Sequence, residues 1–397
     1  MLFCSPLAQP NITFDDMKTN SLSTKPHYAI LDGLRGVAAL MVVAFHLCEA
    51  HATSHQDQII NHGYLAVDFF FLLSGFVIGY AYDDRWGKMT IGNFFKRRLI
   101  RLQPMVVMGS IIGAVCYYFQ SSGVFPIIGQ TPVWQMLLIM VIGCTMLPIP
   151  PSMDIRGWAE TYPLNGPAWS LFYEYVVNIF YALVARKLSK TVLSILVILS
   201  AGALIHLAVN QGDVIGGWSL NAEQMRIGFC RVMFPFFGGL LLFRIAKLRN
   251  IKNAFVWSSL LTIIVLAAPR IGTTENLWMN GLYDSLSIVL IFPLIIFLGA
   301  SGEIQSAVGK KICKFLGDIS YPIYITHYPL IYTYTAWVFD KKIPLKEAYP
   351  ITILVFIAAV AIAYACLKWY DEPVRAWLNK RAKAPVKVKH ESEVEAK

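Results

Sequence analysis

The sequence predicts an all-α fold: a polytopic membrane helical bundle of about ten transmembrane helices around a central cavity. Three observations lead there. Hydrophobic residues make up 56% of the 397 and charged residues only 15%, where a soluble domain carries about 25% charged. Apolar stretches near the roughly 20 residues that a bilayer crossing needs recur along the whole chain. Basic clusters punctuate them, as they do in a chain that returns repeatedly to one side of a membrane.

Taken in order, the apolar stretches fall at 29–50, 63–82, 104–121, 132–148, 167–186, 191–209, 227–244, 254–269, 282–300, 319–338 and 349–369. Five basic clusters separate them: "KRRLIR" (Lys96 to Arg101), "RKLSK" (Arg186 to Lys190), "RIAKLRNIK" (Arg244 to Lys252), "KKICK" (Lys310 to Lys314) and "RAWLNKRAKAPVKVK" (Arg375 to Lys389). The positive-inside rule puts all five in the cytoplasm. With the amino terminus inside, an even number of crossings must then separate the first two clusters. The stretch 132–148 is short and closes on "PIPP", so it is read as interfacial, re-entrant or packed. Ten spans remain, with both termini cytoplasmic and a multi-pass location in the cell (inner) membrane. Only "DKKIPLK" near residue 340 falls on the other side.

The same pattern divides the chain into a polar cytoplasmic segment at 1–27, a membrane domain at 28–375 and a basic tail at 376–397 expected to be disordered. The first residues lack the basic start and apolar core of a cleaved leader. No second soluble domain is expected after the last span, and "YDEPVRAW" reads as a helix stop. The net charge of +10 is assigned to cytoplasmic loops and membrane lipid. Nucleic acid is not expected as a partner, because no basic recognition module is present. Seven cysteines without CxxC spacing read as small buried hydrophobes, and no metal is expected.

Ionisable groups inside such spans are costly and face a cavity or a partner. In "LDGLRGVAALMVVAFH", Arg35 and His46 are eleven residues apart, three turns plus about 20°, so they share one face about 16 Å apart along the axis. Arg35 falls at the cytoplasmic end and His46 deep in the span. In "FFKRRLIRLQP", Arg98 and Arg101 share a face just before a span that opens at Pro104. A guanidinium pair there suits phosphate, which each fork can bind through two oxygens. In "GYLAVDFFFLLSGF", Asp68 is an intramembrane charge suited to orienting an imidazole or pairing with an arginine, and Ser74 is a small polar position. In "NGPAWSLFYEYVVN", Ser170, Glu174 and Asn178 recur every four residues. Glu174 is placed at a depth similar to that of His46, where a carboxylate fixes the tautomer and raises the basicity of the ring. Arg231 in "RVMFPFFGG", and Ser320, Tyr324 and His327 in "GDISYPIYITHYP", complete the candidate cavity lining.

Together these motifs resemble the acyltransferase family 3 membrane proteins, which O-acylate carbohydrates and related acceptors. The resemblance runs from about 28 to 375 with six motifs in order. It implies a pore-like cavity and an acyl-CoA donor, expected to be acetyl-CoA, taken from the cytoplasm. It also implies transfer to a hydroxyl of a glycan or related acceptor at the outer face. Arg35 and His46 match the family's essential arginine and histidine, Arg98 and Arg101 its cytoplasmic arginine pair, and Glu174 its Trp-Ser-Leu…Glu glutamate. Asp371-Glu372-Pro373 stands where the family often has Glu-Arg-Pro. The mechanism that follows has Arg35, Arg98 and Arg101 hold donor phosphates and His46 act as general base, oriented by Glu174 or Asp68. The competing class is a transporter or flippase of a sugar or anionic substrate, which also needs polar walls and basic mouths. A structural subunit of a polysaccharide-assembly complex would leave Arg35, His46 and Glu174 without a task. Acceptor identity, acyl length and oligomeric state stay open, and a homo-oligomer is compatible with the sequence.

Overall fold

The structure is a computed structural model, and it describes residue 25 and residues 27–383. The described residues form fourteen α-helices and no strand: α1 Ala29–Glu49, α2 Ala66–Tyr82, α3 Ile91–Tyr117, α4 Val133–Cys144, α5 Ala168–Leu183, α6 Lys190–Gln211, α7 Ala222–Ile245, α8 Ala254–Ala267, α9 Trp278–Leu286, α10 Phe292–Ala300, α11 Ala307–Thr326, α12 Tyr328–Lys341, α13 Leu345–Cys366 and α14 Glu372–Lys383. Four of them start on side-chain caps: Thr90, Ser189, Asn221 and Ser306 each accept a backbone N–H three residues on, satisfying one of the donors that a helix start leaves open. α9 and α10 run on through a π-turn, Ser287–Ile291, as do α13 and α14 through Leu367–Asp371.

Among the described residues seven helices are long and apolar enough to cross a membrane by themselves. The expected count of ten is therefore not matched one for one. α4, with 12 residues, reaches only about 18 Å, short of the roughly 30 Å hydrocarbon core. α5 and α8 have 16 and 14 residues. The single stretch expected at 319–338 is two helices that meet at His327, because Pro329 in the first turn of α12 cannot extend the hydrogen-bond ladder of α11.

Two further expectations are corrected. α3 begins at Ile91 and carries Pro104 in its interior, so Arg98 and Arg101 stand within the helix and not ahead of it. The chain does not stop at "YDEPVRAW": the wide π-turn leads into α14, where Pro373 falls in the first turn and its missing N–H costs least. Residues 376–383 of the expected tail are thus helical, and 384–397 lie outside the described residues. The six described cysteines are free, but only Cys313 is fully buried.

The bundle is built on two close helix crossings. α1 packs on α11 and α2 packs on α7. In the second crossing, a Cβ at Gly75 would sit 1.9 Å from the Phe236 carbonyl oxygen of α7, and one at Gly239 would sit 1.9 Å from the Leu72 carbonyl oxygen of α2. Small residues on both sides let the backbones touch, the packing on which helix association in lipid depends. The crossing is also bonded. Arg231 of α7 donates from Nη2 to Asp68 Oδ2 of α2 at 2.6 Å and from Nε to Oδ1 at 3.3 Å, and both side chains are buried. Gly75→Ala should push the helices apart and cost about 1–3 kcal/mol, read as a lower melting temperature in detergent. An unchanged value would contradict so close an approach. Asp68→Ala strands a buried guanidinium and should cost about 3–5 kcal/mol, with Asp68→Asn less damaging. Equal stability of Asp68→Ala and the parent chain would show that the pair is not buried.

Candidate functional site

Helices α1, α2, α3, α5, α7, α11, α12 and α14, with the connections between them, enclose three adjoining cavities. The first is a vestibule of about 740 Å³ lined by Arg35, Arg97, Arg101, Lys310, Lys314 and Arg375 together with four acids. Those acids are already engaged: Asp32 with Arg35 and His27, Asp318 with Lys314, Asp371 with Arg375, and Glu372 with Lys368. Arg97, Arg101 and Lys310 have no hydrogen-bond or ion-pair partner among the described residues. The vestibule is therefore a cationic mouth with unspent charge. Three of the five basic clusters meet in it. The other two lie at the same end, where Arg186 stacks on Trp86 and Arg244 pairs with Asp83, both in the connection between α2 and α3.

An inner cavity of about 110 Å³ follows, sharing Arg35, Arg101, Ser320 and Tyr321 with the vestibule and adding Ser74, Arg98, Ser170, Glu174 and Tyr324. Glu174 accepts from Arg98 and, at 3.1 Å, from Ser74 Oγ. Ser170 Oγ and the Tyr324 hydroxyl lie 2.7 Å apart. Tyr324 and Val67 then wall both this cavity and the third, so they form the neck between them.

The far cavity, about 670 Å³, holds His46, Glu49, Tyr64, Glu160, Trp169, Arg231 and Tyr328 in its wall. His46 Nδ1 lies 2.7 Å from Glu49 Oε2, one turn further along α1. The imidazole is braced on both sides: Tyr328 meets it edge-on at 4.7 Å, and His327 stacks on it at 5.7 Å and 28°. His327 itself is fully buried and holds its Nδ1 against the Ile323 and Tyr324 carbonyls at 2.9 and 3.0 Å.

The sequence-selected residues thus divide among the cavities. Arg35 and His46 do lie on one face of α1, at the two ends of the passage. Arg35 and Arg101 border vestibule and inner cavity together. Ser74, Arg98, Ser170 and Glu174 gather in the inner cavity, and Arg231 and Tyr324 reach the far one. His327 stands behind His46 and is not part of a cavity wall. The expected partners of the imidazole are corrected. Glu174 is tied to Arg98 on the other side of the neck, and Asp68 is consumed by Arg231. Both carboxylates bond to the nearest guanidinium, since an unpaired charge in a bilayer costs more than a redirected hydrogen bond. Glu49 takes their place, and the signal was present in "HLCE", where His46 and Glu49 stand three apart on a helix. Glu160 and Trp158 sit in the connection between α4 and α5, where no helical period reveals them.

Comparison with known proteins follows the same residues. The family model described as an acyltransferase domain, Acyl_transf_3, matches residues 28–368. "Protein 2 in picA locus" of Rhizobium radiobacter is 35% identical over 176 residues, 41% of this chain and 84% of that one. The O-acetyltransferase OatA of Staphylococcus aureus is 24% identical over 362 residues, 87% of this chain and 57% of its own. A putative O-acetyltransferase of the same organism is 25% identical over 373 residues, 89% of this chain and 58% of its own. The chain therefore spans somewhat more than half the length of the two acetyltransferases. No solved structure matches it. With the family model covering nearly the whole membrane bundle, the chain belongs to the acyltransferase 3 family.

Proposed function

We propose that this protein is a membrane O-acetyltransferase that takes acetyl-CoA at its basic end and esterifies a glycan hydroxyl at the opposite end. One observation carries the reading: a single passage of adjoining cavities has unpartnered cations at one end and an imidazole–carboxylate couple at the other. The positive-inside rule makes the basic end cytoplasmic, the compartment that supplies an acyl-CoA. The relatives named as O-acetyltransferases support the group transferred.

The steps follow from the donors and acceptors present. Arg97, Arg101 and Lys310 have free N–H groups for the donor's phosphates, and Arg35 borders the path inward. The acyl-pantetheine arm, uncharged and narrow, passes the inner cavity towards the neck at Tyr324 and Val67. His46 gives the Nδ1–H to Glu49, which leaves the Nε2 lone pair for the acceptor hydroxyl. As the hydroxyl oxygen attacks the thioester carbonyl, its proton moves to Nε2. The C–S bond breaks and the thiolate takes that proton back, leaving an ester, free CoA and a neutral imidazole. Glu49 steadies the transient imidazolium. Arg98 and Glu174 neutralise each other, so they border the arm's path without repelling it.

His46→Ala should lower acyl transfer by about 10²–10⁴-fold, the usual worth of a general base, while the protein still inserts. Glu49→Gln should lower kcat by less and leave the KM for acetyl-CoA unchanged. Arg101→Ala should raise the KM for acetyl-CoA by about tenfold or more at constant melting temperature, since Arg101 holds no internal partner. Release of free CoA in proteoliposomes given acetyl-CoA and glycan is the assay. Undiminished transfer by His46→Ala would falsify the mechanism, and glycan movement without CoA release would mark a transporter instead.

A further inference from the structure

The connection between α4 and α5 presents a short strained turn to the far cavity. Gly157 and Ala159 both have positive φ, 99° and 52°, and at a non-glycine residue that conformation costs about 1–2 kcal/mol. Asp154 holds the turn in place: its carboxylate accepts the backbone N–H groups of Arg156, Gly157 and Ala159 at 2.9, 2.9 and 2.8 Å. Strain kept up by dedicated bonds marks a site whose geometry is used. The turn places Trp158 and Glu160 in the cavity wall. A second loop is bonded to it. The Trp218 carbonyl accepts from Thr161 N at 2.7 Å and from Thr161 Oγ1 at 3.0 Å, which sets Trp218 in the same wall.

The charges of that cavity are one-sided. Arg231 is the only Lys or Arg among the described residues in the wall, and Asp68, the Tyr64 carbonyl and the Gly216 carbonyl occupy its donors. Glu49 and Glu160 have no Lys or Arg partner in the cavity wall, and Arg156 pairs with Glu160 from behind it. Arg156 lies 3.7 Å behind Glu160, fully buried over the Tyr332 ring, and does not line the space. Tyr332 donates its hydroxyl to the Glu160 carboxylate at 2.6 Å, leaving other lone pairs for a ligand. Burial pushes the Glu160 carboxyl up to about 7, against the pull of Arg156 and Tyr332.

We propose that this wall is an acceptor subsite for an uncharged, hydroxyl-rich sugar ring, with Trp158 and Trp218 stacking on its C–H faces and Glu160 accepting its hydroxyls. The inference rests on the acyl-transfer reading for its biological sense, but binding can be measured without turnover. Apolar faces with a few placed polar groups are the usual makeup of a selective pocket. A carboxylate-bearing sugar would meet two like charges and no free cation, whereas the vestibule at the other end offers the reverse. Glu160 is thus the specificity-determining residue of the acceptor side.

The test is equilibrium dialysis of the full chain in detergent at pH 8, with excess inorganic pyrophosphate to fill the cationic vestibule, against radiolabelled cellotetraose and tetragalacturonate. The neutral tetrasaccharide should bind about tenfold or more tighter than the uronate. Glu160→Gln should erase most of that discrimination, Glu160→Asp should keep it, and Trp158→Ala should weaken both probes alike. Equal binding of the two probes by the parent chain overturns the proposal, as does intact discrimination in a folded Glu160→Gln protein. If Glu160→Gln fails to fold, the parent's preference and the Trp158→Ala loss decide. Absence of acyl transfer to any acceptor would defeat the enzymatic reading and leave this binding result standing.

Discussion

The buried pair between Asp68 and Arg231 is the interaction on which the far half of the passage depends. One guanidinium binds the carboxylate of α2, the carbonyl of Tyr64 ahead of it and the carbonyl of Gly216 in the connection between α6 and α7. Those three segments, with α7 itself, bring Tyr64, Val67, Ile215, Trp218 and Arg231 to the far cavity wall. A charge of this kind has nowhere to go in hydrocarbon, so it fixes whatever surrounds it. The glycine crossing beside it removes the remaining freedom, because Gly75 and Gly239 bring the two backbones into contact.

Charge is sorted along the passage. Every acid of the vestibule is matched, and cations are left over. In the inner cavity Arg98 and Glu174 cancel. In the far cavity the arginine is spent, and carboxylates face the space. Such an arrangement puts the cationic surplus at one end of the passage and the imidazole at the other. The same economy explains why His46 is served by Glu49. The two carboxylates that could have reached an imidazole are held by arginines, and the one left without a guanidinium is on α1 itself.

Connections as well as helices wall the far cavity. Asp154 holds a turn that two positive-φ residues would otherwise let relax, and Thr161 ties it to the loop carrying Trp218. The helices of the bundle supply a rigid frame, and the loops bring the aromatic walls to it, the usual division between scaffold and recognition.

Composition and hydropathy alone determined that the chain is a helical membrane bundle, since an apolar run of about 20 residues satisfies its backbone groups within itself only as a helix. The eleven-residue interval between Arg35 and His46 determined that one helix face joins the two ends, because helical pitch is a property of the backbone. The motifs determined the family. Helix ends inside apolar runs were not legible: Pro104 sits within α3, and the break at His327 interrupts a stretch of uniform hydropathy. The pairing of charges belonged to tertiary structure. Whether Glu174 meets His46 or Arg98 depends on the depth and rotation at which α5 packs against α1 and α3, and no local period encodes that. Glu160 and Trp158 became visible only once a loop without periodicity was folded over the cavity, because what places them is Asp154 and Thr161 bonding across the fold rather than any pattern along the chain.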